Sequence, residues 1–141
     1  MKQIQGLNFI LLVDDDEATN FLNQRVIRKA EIDAEVQVAH NGKEALEYLT
    51  NTGKFKSHAP LPAAGLIFLD INMPGMNGWE FLNEYKKLPE EQTRKIKILM
   101  LTTSINPDEE KKAVDIPEVK GFIHKPLTAE KLERAINVYV F

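Results

Sequence analysis

The sequence predicts an α/β fold in which a parallel sheet carries helices on both faces. Three observations predict it. Strands are expected to begin near Asn8, Glu35, Leu66, Lys97 and Gly121, at the spacing of about thirty residues that strand–helix units require. Phe9–Val13, Leu66–Leu69 and Ile98–Leu101 are apolar at every position, as strands covered on both faces must be. Between them, apolar residues recur at helical rather than alternating spacing.

The elements follow in order. Phe9-Ile-Leu-Leu-Val13 is the first strand, and Asp16, just beyond it, suits the cap of the next helix. Phe21, Leu22, Val26, Ile27 and Ala30 are expected to form that helix's inner face. Glu35-Val-Gln-Val-Ala39 alternates, which suits an edge strand with one wetter face. Asn41-Gly-Lys-Glu44 then places an Asn cap three residues before a Glu that can reach back to it. Leu46 and Leu49 belong to the helix so started. Residues 50–64 form a long Gly- and Pro-punctuated connection carrying Lys54, Lys56 and His58. Connections this long are usually functional or mobile.

The third strand, Leu66–Leu69, ends in Asp70 and a turn shaped by Pro74, Gly75 and Gly78. Phe81, Leu82, Tyr85 and Leu88 mark the next helix, with Trp79 packing on it. The fourth strand ends in Thr102-Thr103. Asn106-Pro-Asp-Glu109 repeats the cap signal, and Pro107 falls at the first helical position, where its missing N–H costs nothing. That helix must be short, because Pro117 cannot extend it. The fifth strand ends in Lys125-Pro126, and Thr128 caps a last helix carrying Leu132, Ala135, Ile136 and Tyr139. Right-handed crossovers then give a doubly wound, five-stranded parallel sheet with five helices. The flavodoxin-like strand order 2-1-3-4-5 suits these units.

Composition narrows the function. At 141 residues the chain is expected to be one domain over 1–141, with its core at about 8–140. Such a domain needs no disulfide or structural metal to fold. There are no cysteines, which excludes disulfides, thiolate catalysis and thiolate zinc sites. A net charge of −3 offers no basic footprint for nucleic acid. The apolar runs fall far short of the ~20 residues of a membrane span. One N-terminal Lys leading into an acidic run, with no cleavage site, argues against a secretory signal. A cytoplasmic location is expected. His40, His58 and His124 lie in separate elements without metal-ligand spacing and read as ordinary residues.

In an open parallel sheet, ligands bind beyond the carboxyl ends of the strands, at the point where strand order reverses. Topology therefore gathers Asp14 and Asp15, Asp70, Thr102 and Lys125 at one edge. Two carboxylates ~4 Å apart repel by ~4 kcal/mol at an effective dielectric near 20. A cation, a raised pKa, or both must offset that. Clustered carboxylate oxygens suit Mg²⁺, with Mn²⁺ as a substitute. A carboxylate is also a nucleophile towards phosphorus, and phosphoryl transfer needs mainly positioning and charge stabilisation. The residues alone leave metal site and aspartyl nucleophile both open.

Four strings then carry a resemblance: Ile10-Leu-Leu-Val-Asp-Asp-Asp16, Leu69-Asp-Ile-Asn-Met-Pro-Gly-Met-Asn-Gly78, Leu101-Thr-Thr103 and Lys125-Pro126. In this order, one per strand end, they resemble the CheY-like receiver domain of two-component response regulators, here in stand-alone form. The resemblance implies that Asp70 accepts a phosphoryl group from a sensor histidine kinase or phosphotransfer protein. Asp15 would bind Mg²⁺ directly and Asp14 through water, with the backbone carbonyl of Asn72 completing the protein ligands. Lys125 would contact the phosphoryl oxygens, Thr102 would swing towards them, and Phe122 would follow as the aromatic switch. It also implies a cis peptide before Pro126, slow self-catalysed dephosphorylation, an unnamed downstream protein and a possible homodimer. Long connections like 50–64 occur in some stand-alone receivers, including partners of phytochrome-type kinases. Two segments depart from the family norm: this 50–64 connection, and Ile116-Pro-Glu-Val119, which replaces the usual Gly-Ala approach to the last strand on a face that often carries output.

Two other readings compete. A phosphohydrolase with an aspartyl-phosphate intermediate would carry a second acid two residues after the nucleophile, where this chain has Asn72. A phosphorylation-independent interaction module would not need Asp14, Asp15, Asp70, Thr102 and Lys125 together. The expectation is a self-phosphorylating switch or relay, not a multiple-turnover metabolic enzyme.

Overall fold

The computed structural model describes residues 7–55, 64–73, 75–103 and 106–140. Lys56, His58 and most of the 50–64 connection, with Pro74, lie outside the described residues. Five strands, β1 (Phe9–Val13), β2 (Glu35–Ala39), β3 (Gly65–Leu69), β4 (Ile96–Thr102) and β5 (Val119–His124), form one sheet in the order β2-β1-β3-β4-β5. All neighbours pair in parallel.

The sheet has a core on each face, which explains the uninterrupted apolar strands. Leu11, Val13, Ile67, Leu69, Ile98 and Met100 point to one side. Ile10, Leu12, Leu66, Phe68, Leu99 and Leu101 point to the other. Successive side chains on a strand alternate in direction, so both sets must be apolar. The helices α2 (Gly42–Thr50) and α3 (Gly78–Tyr85) cover the first side with Ala45, Tyr48, Leu49, Phe81, Leu82 and Tyr85. The second side is covered by α1 (Glu17–Lys29) and α6 (Ala129–Tyr139) through Ile27, Leu132, Ala135 and Ile136.

Six α-helices stand among the described residues rather than five. The additional one, α4 (Glu90–Thr93), is a single turn after Pro89 that buries no side chain, so no apolar periodicity could announce it. The helix begun at Asn106, α5 (Pro107–Val114), is short, as Pro117 requires. No helix among the described residues is long and apolar enough to cross a membrane.

Helix starts follow the expected caps. The side chains of Asp16, Asn41, Asn106 and Thr128 accept from Thr19, Glu44, Asp108 and Lys131 backbone N–H groups respectively. Glu44, however, reaches past Asn41, and its carboxylate accepts from the His40 N–H at 3.0 Å. The reciprocal capping box is instead Asn77 with Glu80. Asn77-Gly-Trp-Glu80 has the same spacing, so the signal was present in the sequence.

The larger correction concerns α1. Phe21 and Leu22 are 60% and 55% exposed, and the residues turned inward are Asn20, Asn23 and Ile27. These three lie at i, i+3 and i+7, a complete helical stripe. With Asp16 fixing the helix start, the stripe over the sheet is polar near the strand ends and apolar further along. Apolar periodicity alone selected a neighbouring stripe.

A stability comparison checks this orientation. Phe21→Glu and Leu22→Glu are expected to change unfolding free energy by no more than about 0.5 kcal/mol, as surface substitutions do. Ile27→Ala is expected to cost about 2–5 kcal/mol. Urea denaturation of the three variants measures both.

Candidate metal and phosphoacceptor site

Strands β1 and β3 are neighbours, with Val13 in register with Leu69, so Asp14 and Asp70 leave the sheet side by side. Each stays anchored by its backbone: Asp14 N–H donates to the Ala39 carbonyl at 3.0 Å, and Asp70 N–H to the Val13 carbonyl at 2.9 Å. Both side chains are buried, whereas Asp15 is exposed. One carboxylate oxygen from each of Asp14, Asp15 and Asp70 lies within 4.8 Å of the others.

Strand β5 supplies the opposite charge. Lys125 follows its last residue, held by an N–H bond to the Thr102 carbonyl at 2.8 Å and followed by a cis peptide to Pro126. Its Nζ lies 2.6 Å from Asp14 Oδ2 and 3.5 Å from Asp70 Oδ1. Thr102 is buried at the end of β4, while Asn72 is exposed two residues beyond Asp70. The structure thus brings Asp14, Asp15, Asp70 and Lys125 together, with Thr102 at the adjoining strand end. Phe122 is half-buried on the sheet face shared with Met100, its register partner. It meets His124 edge-on, with centroids 5.5 Å apart.

Gly78 allows the loop to close under this edge. Its N–H donates to the Ile71 carbonyl at 2.8 Å. A Cβ there would stand 2.7 Å from the Asp70 carbonyl oxygen and 2.9 Å from the Ile71 Cα. Those are backbone atoms that cannot turn aside. Glycine therefore lets α3 start directly against the chain leaving β3.

Three carboxylates and one ammonium leave an excess of negative charge. Burial pushes the Asp70 carboxyl up to about 6; Lys125 opposes that rise and Asp14 adds to it. Burial by itself would lower the Lys125 ammonium, but its hydrogen bond to Asp14 and the charges of Asp70 and Asp14 raise it overall. The all-oxygen donor set, still negative beside its lysine, suits a hard divalent cation. Neither histidine among the described residues joins the cluster: His40 bonds Glu44 at 3.1 Å and His124 is exposed; His58 is outside the described residues.

Sequence reasoning missed the two amides beneath the site. Asn20 and Asn23 are buried on α1, and Asn20 Nδ2 donates to the Asp14 carbonyl at 2.8 Å. Nothing in the helical pattern distinguished them from surface polar residues.

The fold and the acid cluster at its carboxyl edge are those of a receiver domain, and residues 10–137 match the response regulator receiver domain family. The chain belongs to that family. It is 36% identical over 100 residues to the response regulator Rcp1 of Synechocystis sp., a match covering 71% of this chain and 65% of that protein. A two-component response regulator from Cytophaga hutchinsonii has a TM-score of 0.80 at 32% identity, over 96% of both chains. The bacteriophytochrome response regulator AtBRR gives 0.81 at 30% identity, over 96% of this chain and 94% of that one. Rcp1 has also been solved in a Mn²⁺-bound form, with a TM-score of 0.74 at 28% identity over 94% of both chains.

The buried charge predicts a pH-dependent stability difference. The folded Asp70 value of about 6 exceeds the ordinary 3.8, so the folded protein holds its proton more tightly than the unfolded chain. Wild type therefore loses stability as pH rises from about 4 to 6, by up to about 3 kcal/mol. Asp70→Asn carries no such penalty. Metal-free unfolding should show the variant more stable by about 1–3 kcal/mol at pH 7.5, with the gap closing near pH 4. A less stable variant at pH 7.5 would contradict this assignment.

Proposed function

We propose that this chain is a phosphorylation switch in which Asp70 accepts a phosphoryl group from a sensor histidine kinase or phosphotransfer protein, with Mg²⁺ as cofactor. The observation that carries this reading is Lys125 Nζ placed between Asp14 and Asp70, at 2.6 and 3.5 Å, inside the carboxylate cluster. A nucleophile, a cation and a set of oxygen ligands then occupy one pocket.

In the reaction, a carboxylate oxygen of Asp70 bonds to phosphorus as the phosphorus–nitrogen bond of the donor's phosphohistidine breaks. Burial works against the ionised form of Asp70, and Lys125 works for it. Asp15, Asp14 and the Asn72 backbone carbonyl would hold the divalent ion. Bound there, Mg²⁺ would neutralise charge on the transferring oxygens. Mn²⁺, which the relative Rcp1 binds, would serve as well. Transfer changes the acceptor from one negative charge to roughly −2. Lys125 has three donors to redistribute towards the new oxygens. The Thr102 hydroxyl supplies another, with Phe122 repacking as it moves. Water later attacks the acyl phosphate, which makes the protein its own slow phosphatase.

The module would act in the cytoplasm through protein contacts, with a downstream protein as its reader and a homodimer as one assembled form. Its net charge of −3 gives no reason to add a nucleic acid. The phosphohydrolase reading is weaker, since Asn72 cannot serve as the second acid such enzymes use.

A small phosphodonor distinguishes these ideas. Acetyl phosphate with Mg²⁺ should add one phosphoryl group per chain by intact-mass measurement, and none to Asp70→Asn or in excess EDTA. Equal labelling of wild type and Asp70→Asn would sink the mechanism. Multiple turnover of p-nitrophenyl phosphate would favour the hydrolase.

A further inference from the structure

Asn20 and Asn23 are 3% and 5% exposed, on the stripe of α1 that packs over the sheet. An amide buried there has a cost, because a polar atom taken out of water without a new partner loses the hydrogen bond it had. Asn20 incurs it: its Oδ1 is fully buried without a hydrogen-bond partner among the described residues. Asn20 lines a narrow gap with Leu12, Asp14, Asn23, Phe68, Asp70 and Leu101, too tight to admit a water molecule. A leucine of similar size would leave no orphaned acceptor.

The amide's other end explains its use. Asn20 Nδ2 donates to the backbone carbonyl of Asp14 at 2.8 Å, the carbonyl of the peptide that joins Asp14 to Asp15. That unit is planar and extends to the next Cα, so holding its oxygen also fixes the N–H and the Cα of Asp15, the atom from which its carboxylate side chain springs. Two further bonds close the turn: Asp16 N–H donates to Asp14 Oδ1 at 3.0 Å, and Asn20 N–H to the Asp16 carbonyl at 3.0 Å. Helix α1 is thus tied to both acids through one side chain.

We propose that Asn20 is a positioning residue for the divalent-cation site, setting through the Asp14–Asp15 peptide the angle at which these two carboxylates meet the ion. The inference rests on the metal reading given above. It differs from a purely structural role in one respect. Losing a stabilising bond would lower melting temperature; losing a positioning bond lowers metal affinity, and replacing the orphaned amide by an apolar side chain leaves stability equal or higher.

Mn²⁺ binding followed by electron paramagnetic resonance separates the two, using full-length wild type, Asn20→Leu, Asn20→Ala, Asn23→Leu and Asp15→Asn, each checked for folding by thermal melting. Wild type should bind saturably and Asp15→Asn should lose that binding. Asn20→Leu and Asn20→Ala should bind about 10–100-fold more weakly, the usual effect of removing a group that orients a ligand. Asn23→Leu should stay within twofold of wild type. The inference is overturned if both Asn20 variants bind Mn²⁺ like wild type, or if Asn23→Leu weakens binding as much as they do. If wild type itself does not bind, or Asp15→Asn binds equally well, the metal reading fails and takes this inference with it. The alanine variant introduces no bulk, so a misfolded leucine variant would not hide the result.

Discussion

Two buried carboxylates on neighbouring parallel strands repel each other, and the carboxyl edge of this protein is organised around that repulsion. Asp14 and Asp70 have no choice of separation, because β1 and β3 are in register and each acid follows directly on its strand. Lys125 is the cation the chain itself provides, 2.6 Å from one and 3.5 Å from the other. It does not balance the cluster, since Asp15 adds a third carboxylate. The remaining negative charge makes the site receptive to a divalent ion.

Holding those charges close requires rigid backbone beneath them. The sheet provides it by burying apolar residues on both faces of β1, β3 and β4, so no strand end can shift without disturbing two cores. Gly78 brings α3 up against the backbone leaving Asp70, and the Asn77–Glu80 box fixes where that helix begins. On the other side, α1 is tied to the Asp14 carbonyl through Asn20. The carboxyl edge is thus bracketed by two helix starts, each bonded to the loop that carries an acid.

Much of this was legible in the chain. The all-apolar strands, the cap signals at Asp16, Asn41, Asn106 and Thr128, and the acids at strand ends all arise from local chemistry that adjacent residues reveal. The errors have a shared cause. Phe21 and Leu22 fit a helical period, but a period leaves open which stripe meets the sheet. The single turn at Glu90–Thr93 buries nothing and so leaves no apolar trace. Glu44 caps His40 rather than Asn41 because the chain entering α2 presents the His40 N–H to its carboxylate.

By itself, the sequence determined the class of fold, the order of its units, and which side chains end the strands, since these depend on residue type and spacing along the chain. Tertiary structure alone decided how close the acids lie, that Lys125 reaches Asp14 more closely than Asp70, and that Asn20 and Asn23 turn inward. Those outcomes depend on strand register and helix rotation, which are settled by residues far apart in the chain packing against one another. Asn20 shows the division well: its sequence neighbours suggest a surface residue, and only the sheet beneath α1 places its amide on the Asp14 carbonyl.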